Sequence, residues 1–157
     1  MNKLNEKFFE RDSEEVAKEL LGKKLVRLNN GKLLEGIISE TGAFLGESRD
    51  KQNGDGMYNA AGKIYMMPYR GLNFLNVGTD SRGIPSVVHI SGLLLPDKTI
   101  YGPGKLTKEL LIDSKFDNRS INGQELWIED MGLSCGYSIK RQGLAKNCIA
   151  YYQMKTE

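Results

Sequence analysis

The stretch KKLVRLNNGKLLEGIISE, residues 23–40, constrains the fold more than any other. Two strand-like apolar runs, KKLVRL and KLLEGIISE, flank Asn29, Asn30 and Gly31. Asn-Gly tolerates the positive φ angles of a tight hairpin turn, so an antiparallel pair is expected here. The second run ends on a carboxylate, Glu40. The chain then passes through Thr41, Gly42 and Ala43 to an aromatic, Phe44, which reads as a strand entering a turn.

The other elements build on that hairpin. Asp12 or Ser13 can cap a helix through Leu21 whose Val16, Ala17, Leu20 and Leu21 share one face. Glu14 and Glu15 sit favourably in its first turn, and Gly22 stops it. Residues 46–62 are polar and glycine-rich and read as a loop. IYMMPYRGLNFLNV contains Pro68, which favours an edge strand or a hairpin with an exposed tip. SVVHIS is a short apolar strand, and ELWIED and NCIAYYQM are two more. GPGKLTKELL opens a helix whose Leu106, Leu110 and Leu111 share a face. Its N-terminus, near Lys105, could receive a phosphate or could be a plain helix start. No βαβ rhythm appears, so the 157 residues read as one mixed domain of helices and mostly antiparallel strands.

Composition narrows the chemistry by exclusion. Charged residues make up 27% and hydrophobic ones 39%, an ordinary globular balance. The charged N-terminus does not read as a signal peptide, and no apolar run approaches a membrane span, so a cytoplasmic protein is expected. Cys135 and Cys148 form no CxxC pair, and one histidine with scattered carboxylates makes no metal cluster. Phosphate-binding glycine motifs and a Ser-His-Asp set are lacking. Net charge is only +2, but it is unevenly spread. Lys140, Arg141, Lys146 and Lys155 lie in an acid-free stretch. Lys63 and Arg70 lie in another, among Tyr58, Tyr65, Tyr69 and Phe74. Basic strips with aromatics suit a polyanion that carries stackable bases; solvated lysines over core tyrosines would give the same pattern. The candidate acids are Glu40, Glu47, Asp50 and Asp55, with mid-strand Glu35 the weaker neighbour. His89 sits alone in its apolar strand.

These motifs, in this order, resemble the alkyladenine (3-methyladenine) DNA glycosylases. EKFFERDSEEVAKELLGKKLVRL is similar to that family's opening helix and strand, and GIISETGAFLG to its I-V-E-T-E-A-Y-L-G. LNFLNV and GIPSVVHIS follow its central strands, INGQELWIED and KNCIAYYQM its closing ones. YGPGKLTKELLID, close to the family's G-P-G-K-L-T-K-A-L helix, is the most specific match. The resemblance implies an α+β fold, a mostly antiparallel curved sheet flanked by helices. It implies base excision: the enzyme binds duplex DNA in the minor groove, wedges an aromatic into the stack and rotates the damaged nucleotide into a pocket. A carboxylate activates water against the sugar C1′, and neither metal nor organic cofactor is implied.

Residue by residue, the resemblance is uneven. The family's catalytic glutamate is the second of E-T-E-A-Y, where this chain has Gly42; the first is kept as Glu40. The stacking tyrosine becomes Phe44. The pocket histidine falls in GESRDKQNGDGMY, where Asn53 is the nearest polar stand-in. The second stacking tyrosine aligns with Met67, the intercalating tyrosine with Tyr69 or Arg70 depending on the register, and a pocket arginine with His89. The helix from Gly102, with Gly104, Lys105 and Lys108, and also Arg141, are expected on the DNA backbone. The expected activity is release of cationic 3-methyladenine or 7-methylguanine from duplex DNA, by a monomer associated with the nucleoid through DNA. Glu40 or a loop acid, Asp50 or Asp55, would place the water. Restoring glutamate at position 42 is expected to add activity on neutral lesions if the family's geometry is preserved. A DNA-binding relative without the chemistry is the alternative. An RNA-binding use of the fold, shared in outline with a C-terminal domain of methionyl-tRNA formyltransferases, is a further one.

Overall fold

The hairpin anticipated at Asn29–Gly31 anchors one long curled sheet. The structure is a computed structural model and describes residues 2–45, 60–80 and 85–155. Helix α1 spans Ser13–Leu20, and strands β1 and β2 span Lys24–Asn29 and Lys32–Leu45. Strands β3 (Ile64–Tyr69), β4 (Leu72–Thr79), β5 (Ser86–Leu94) and β6 (Thr99–Tyr101) follow, then helix α2 (Pro103–Glu109). Strands β7 (Leu126–Glu129), β8 (Tyr137–Lys140) and β9 (Cys148–Met154) close the chain. The sheet runs β3-β4-β5-β2-β1-β7, with β6 on β5, β9 on β2 and β8 on β9; the pairings are antiparallel. This is the α+β architecture expected from the sequence.

Strand β2 organises the sheet, and here the expectation was too short. The strand does not end at Glu40 but runs through Thr41, Gly42 and Ala43 to Leu45, because both its edges are occupied. One edge pairs with β5 from Ile37 to Leu45. The other pairs with β1 along Lys32–Ile37 and with β9 along Glu40–Phe44. The change of partner is possible because register shifts at Ile38/Glu40 and Glu40/Thr41 against β5, and at Ala43/Phe44 against β9, bend the strand. Such bulges add local twist. The chain leaving α1 covers the gap: Gly22 donates to the Ile38 carbonyl (2.9 Å) and Ile38 donates to the Lys23 carbonyl (2.7 Å).

Period-2 alternation then separates two faces. Val16, Ala17, Leu20 and Leu21 bury against one face with Ile38, Ala43, Leu75, Val77, Val88 and Ile90. Asp12 caps α1 by accepting from the Glu14 and Glu15 amides (2.8 and 3.1 Å), and Thr41 Oγ1 pins it by donating to the Ala17 carbonyl (2.8 Å). The segment holding Pro68 is a hairpin, β3–β4, with Arg70 and Gly71 at its tip (φ 50° and 81°) and Tyr69 and Leu72 exposed beside it. Helix α2 grips that hairpin. Gly104 packs so closely that an added Cβ would come within 2.5 Å of Leu72 Cδ1, and Thr107 Oγ1 donates to the Asn73 carbonyl (2.6 Å). Leu106 and Leu110 are buried as expected; Leu111 is not. The helix has ended before it, and a left-handed φ of 55° turns it to solvent.

Candidate functional site

The face of the sheet opposite α1 is a cavity of about 920 Å³, and its wall follows from strand register. Tyr65 on β3 pairs with Asn76 on β4, Asn76 with His89 on β5, His89 with Gly42 on β2, Gly42 with Tyr151 on β9, and Tyr151 with Lys140 on β8. One cross-strand row thus spans six strands, and every side chain it has faces the cavity. One step along β2, Glu40 sits opposite Gly92 and Gln153; one step the other way is Phe44.

Aromatic rings form the walls. Phe44 meets His89 and Tyr151 edge-on at centroid distances of 5.6 and 6.1 Å, and Phe74 meets His89 at 5.8 Å and Tyr69 at 5.3 Å. Met67, opposite Phe74, adds a polarisable thioether. Such a slot fits a flat ring, and its π-faces favour one carrying positive charge. Glu40 is the one carboxylate that the described residues contribute to the lining. It is half-buried, and desolvation raises its pKa above the ordinary carboxylate value. Gly92 makes room for it: a Cβ there would lie 2.9 Å from Glu40 Cβ and Cγ.

Gly42 lies at the centre of the row but is not an open socket. A Cβ on it would be 2.9 Å from Tyr151 Cδ1 and Cε1, and 3.1 Å from Phe44 Cε1. The Tyr151 ring therefore fills the space a side chain at position 42 would need. Burial beside Cys148 pushes its hydroxyl up to about 12, so it stays protonated. Tyr151 carried no signal in the sequence beyond being one tyrosine of a strand. Asn76, not singled out in the sequence, is visible only through pairing with β3 and β5, and Phe74, named there only among the aromatics near Arg70, gains its place opposite Met67.

His89 lines the cavity but is only 7% exposed, and burial holds its pKa at about 4, so it is neutral at pH 7. Its Nδ1 lies 3.0 Å from Asn76 Oδ1. Because the folded pKa is depressed below the ordinary 6.5, acid favours the unfolded chain, which takes the proton first. Stability tied to His89 is complete above pH 6.5 and falls between there and pH 4, by about 3 kcal/mol in all. Urea unfolding at pH 7.5 and 4.5 should show this loss in the native protein and a markedly smaller one in His89→Gln. Equal pH dependence would exclude His89 as its source.

The remaining candidates divide. Tyr69 lines the cavity mouth, and the Arg70 guanidinium lies 5.2 Å from its ring centroid at the hairpin tip. Gly102 and Pro103 reach the cavity from the start of α2, whereas Gly104 is buried against Leu72. Lys105 and Lys108 lie on the outer side of α2 with Tyr101, Lys98 and Glu109; Lys98 and Glu109 pair at 3.0 Å. Of the C-terminal basic strip, Lys140 and Lys146 line the cavity. Arg141 turns away and pairs with Glu14 Oε1 (2.9 Å), which also accepts from the Tyr152 hydroxyl. Asp50, Asn53, Glu47 and Asp55 lie outside the described residues. Among the described residues, no helix is long and apolar enough to cross a membrane.

A curled antiparallel sheet with an aromatic slot, one described half-buried carboxylate and two lysines in its lining has the shape and chemistry to take a flat ring beside negative charge. Comparison with known proteins makes this specific. The methylpurine-DNA glycosylase family profile matches residues 7–148. A Legionella pneumophila protein, provisionally named a 3-methyladenine DNA glycosylase, is 34% identical over 88% of this chain and 82% of its own length. Similarly named proteins of Rickettsia conorii and Ehrlichia chaffeensis are 35% and 34% identical, over 93% and 75% of this chain and 87% and 71% of their own. The chain belongs to the methylpurine-DNA glycosylase family, a family of DNA repair.

Proposed function

We propose that this chain hydrolyses the N-glycosidic bond of an alkylated purine rotated out of duplex DNA into the aromatic cavity, with Glu40 placing the water. The observation that carries this reading is the single described carboxylate, half-buried and desolvated, on the wall of a slot otherwise built of rings. Water oxygen bonds to C1′ as the C1′–N bond breaks, and its proton passes to Glu40. The bonding pair leaves with the base, and an abasic site remains. A purine alkylated at N3 or N7 carries a positive charge that this pair neutralises, so it departs without prior protonation. A neutral lesion has no such help, and neither Tyr151, whose hydroxyl is held too weakly acidic, nor His89, already unprotonated, is a matched proton donor among the described residues at neutral pH. Cationic lesions are therefore the substrates. Tyr69, which packs on Phe74 with the Arg70 guanidinium over its ring, would enter the base stack, and Lys140 and Lys146, on the cavity wall, would meet phosphates.

A second reading rests on Gly42, where the family's catalytic glutamate would stand: a DNA-binding relative without catalysis. Incubation with duplexes containing 3-methyladenine, 7-methylguanine, 1,N6-ethenoadenine or hypoxanthine separates the two. Release of the two cationic bases alone is expected, 3-methyladenine with the greater acceleration over spontaneous loss. Retained duplex binding with no release from any of the four would establish the second reading, and preference for tRNA over duplex DNA at matched salt would overturn both.

A further inference from the structure

The cavity contains a hydrogen-bonding element whose polarity follows from geometry alone. Asn76 Nδ2 faces two backbone carbonyls, those of Tyr65 (3.4 Å) and Phe74 (3.3 Å). Only the NH₂ end of an amide can donate to carbonyls, so the orientation of Asn76 is fixed and its Oδ1 points at His89 Nδ1, 3.0 Å away. An amide oxygen only accepts, so Nδ1 must carry the proton. In a neutral imidazole the other nitrogen, Nε2, is then a bare acceptor. Nε2 has no hydrogen-bond partner among the described residues. The ring itself lines the cavity between Phe44 and Phe74.

We infer that Asn76 acts as a positioning residue that holds His89 in the Nδ1–H form, so that Nε2 accepts a hydrogen bond from the 6-amino group of an adenine-type base and disfavours a 6-oxo purine. This deepens the proposed function and rests on it for the identity of the ligand. A 6-oxo group would place its lone pairs against those of Nε2 and leave both unsatisfied. Alkylation strengthens the discrimination, because a cationic adenine ring makes its amino hydrogens better donors. Burial keeps the imidazole unprotonated at neutral pH, so Nε2 does not become a donor there. The selectivity is a property of the pair: Asn76 sets the tautomer and His89 presents it.

His89 is the single histidine of the chain, which makes the test direct. In untagged ¹⁵N-labelled protein at pH 7, a long-range ¹H–¹⁵N correlation should show one protonated nitrogen, Nδ1, and a bare Nε2. A protonated Nε2 overturns the inference. In single-turnover release from duplexes carrying 7-methyladenine or 7-methylhypoxanthine, acceleration over spontaneous loss should favour the amino base by about tenfold or more, the worth of one mismatched buried hydrogen bond. Equal acceleration overturns it. Asn76→Asp still accepts from Nδ1–H, but its charge favours the imidazolium and makes Nε2 a donor, so the preference should shrink or invert. If no duplex releases a base, the glycosylase reading fails by itself. Titration of the labelled native protein with free adenine and free hypoxanthine then decides the inference: adenine alone should move the Nε2 resonance, and an equal response to hypoxanthine would refute it.

Discussion

Glu40→Gln should lower the release of cationic bases by ~10²–10⁴-fold, the usual cost of removing a positioned general base, while duplex binding stays within a few-fold of the native protein. Glutamine keeps the shape and loses only the basicity. Glu40 has no ion-pair partner among the described residues, and its pKa is raised by desolvation. The variant should therefore fold at least as well as the parent near pH 7, where ionising a buried carboxylate costs stability. In the native enzyme the same raised pKa places the acid limb of the rate profile above pH 4.5, with activity rising as pH increases through it. Rapid-quench single-turnover rates, with thermal unfolding as a control for folding, make the comparison. A glutamine variant that cuts at the parental rate would remove Glu40 from the mechanism.

Gly42→Glu should fail to reproduce the family's glutamate. The obstacle is steric: the first atom of any side chain meets the Tyr151 ring at 2.9 Å, and that ring is itself packed edge-on against Phe44. Overpacking of this kind costs about 1–3 kcal/mol, and the new carboxylate would be forced off the position from which it could serve C1′. Thermal unfolding should show the loss, and hypoxanthine should remain in the duplex. Coupling the change to Tyr151→Ala opens the space. The double variant should regain much of the stability and begin to release hypoxanthine. Hypoxanthine release by Gly42→Glu alone would mean that Tyr151 moves aside freely.

The parts of this molecule that could be read from sequence are those set by neighbours along the chain. Asn30 and Gly31 adopt the positive φ angles that their residue types suggested, Asp12 caps α1, and Pro103 and Gly102 open α2. Glu40, Phe44, Met67, His89 and Tyr69, which the family resemblance picked out, line one cavity. What was illegible depends on partners distant in sequence. Thr41 and Gly42 resemble a turn until β5 and β9 pair with them on both edges. The three-residue β6 and the polar β8 have too little pattern to stand out. Leu111 fits a helical face in sequence, but the helix stops two residues earlier. Tyr151 and Asn76 acquire their roles only across strands, one beside Gly42 and the other beside His89.

The close fit between position 42 and Tyr151 also has a combinatorial consequence. With the Tyr151 ring filling the space beside Gly42, a single substitution does not place a carboxylate at position 42, since the first added atom meets the ring until it is trimmed. Trimming the ring first would open a gap beside Phe44 and loosen the slot. Either order passes through a packing defect. The contact therefore works as a latch against single substitutions at position 42.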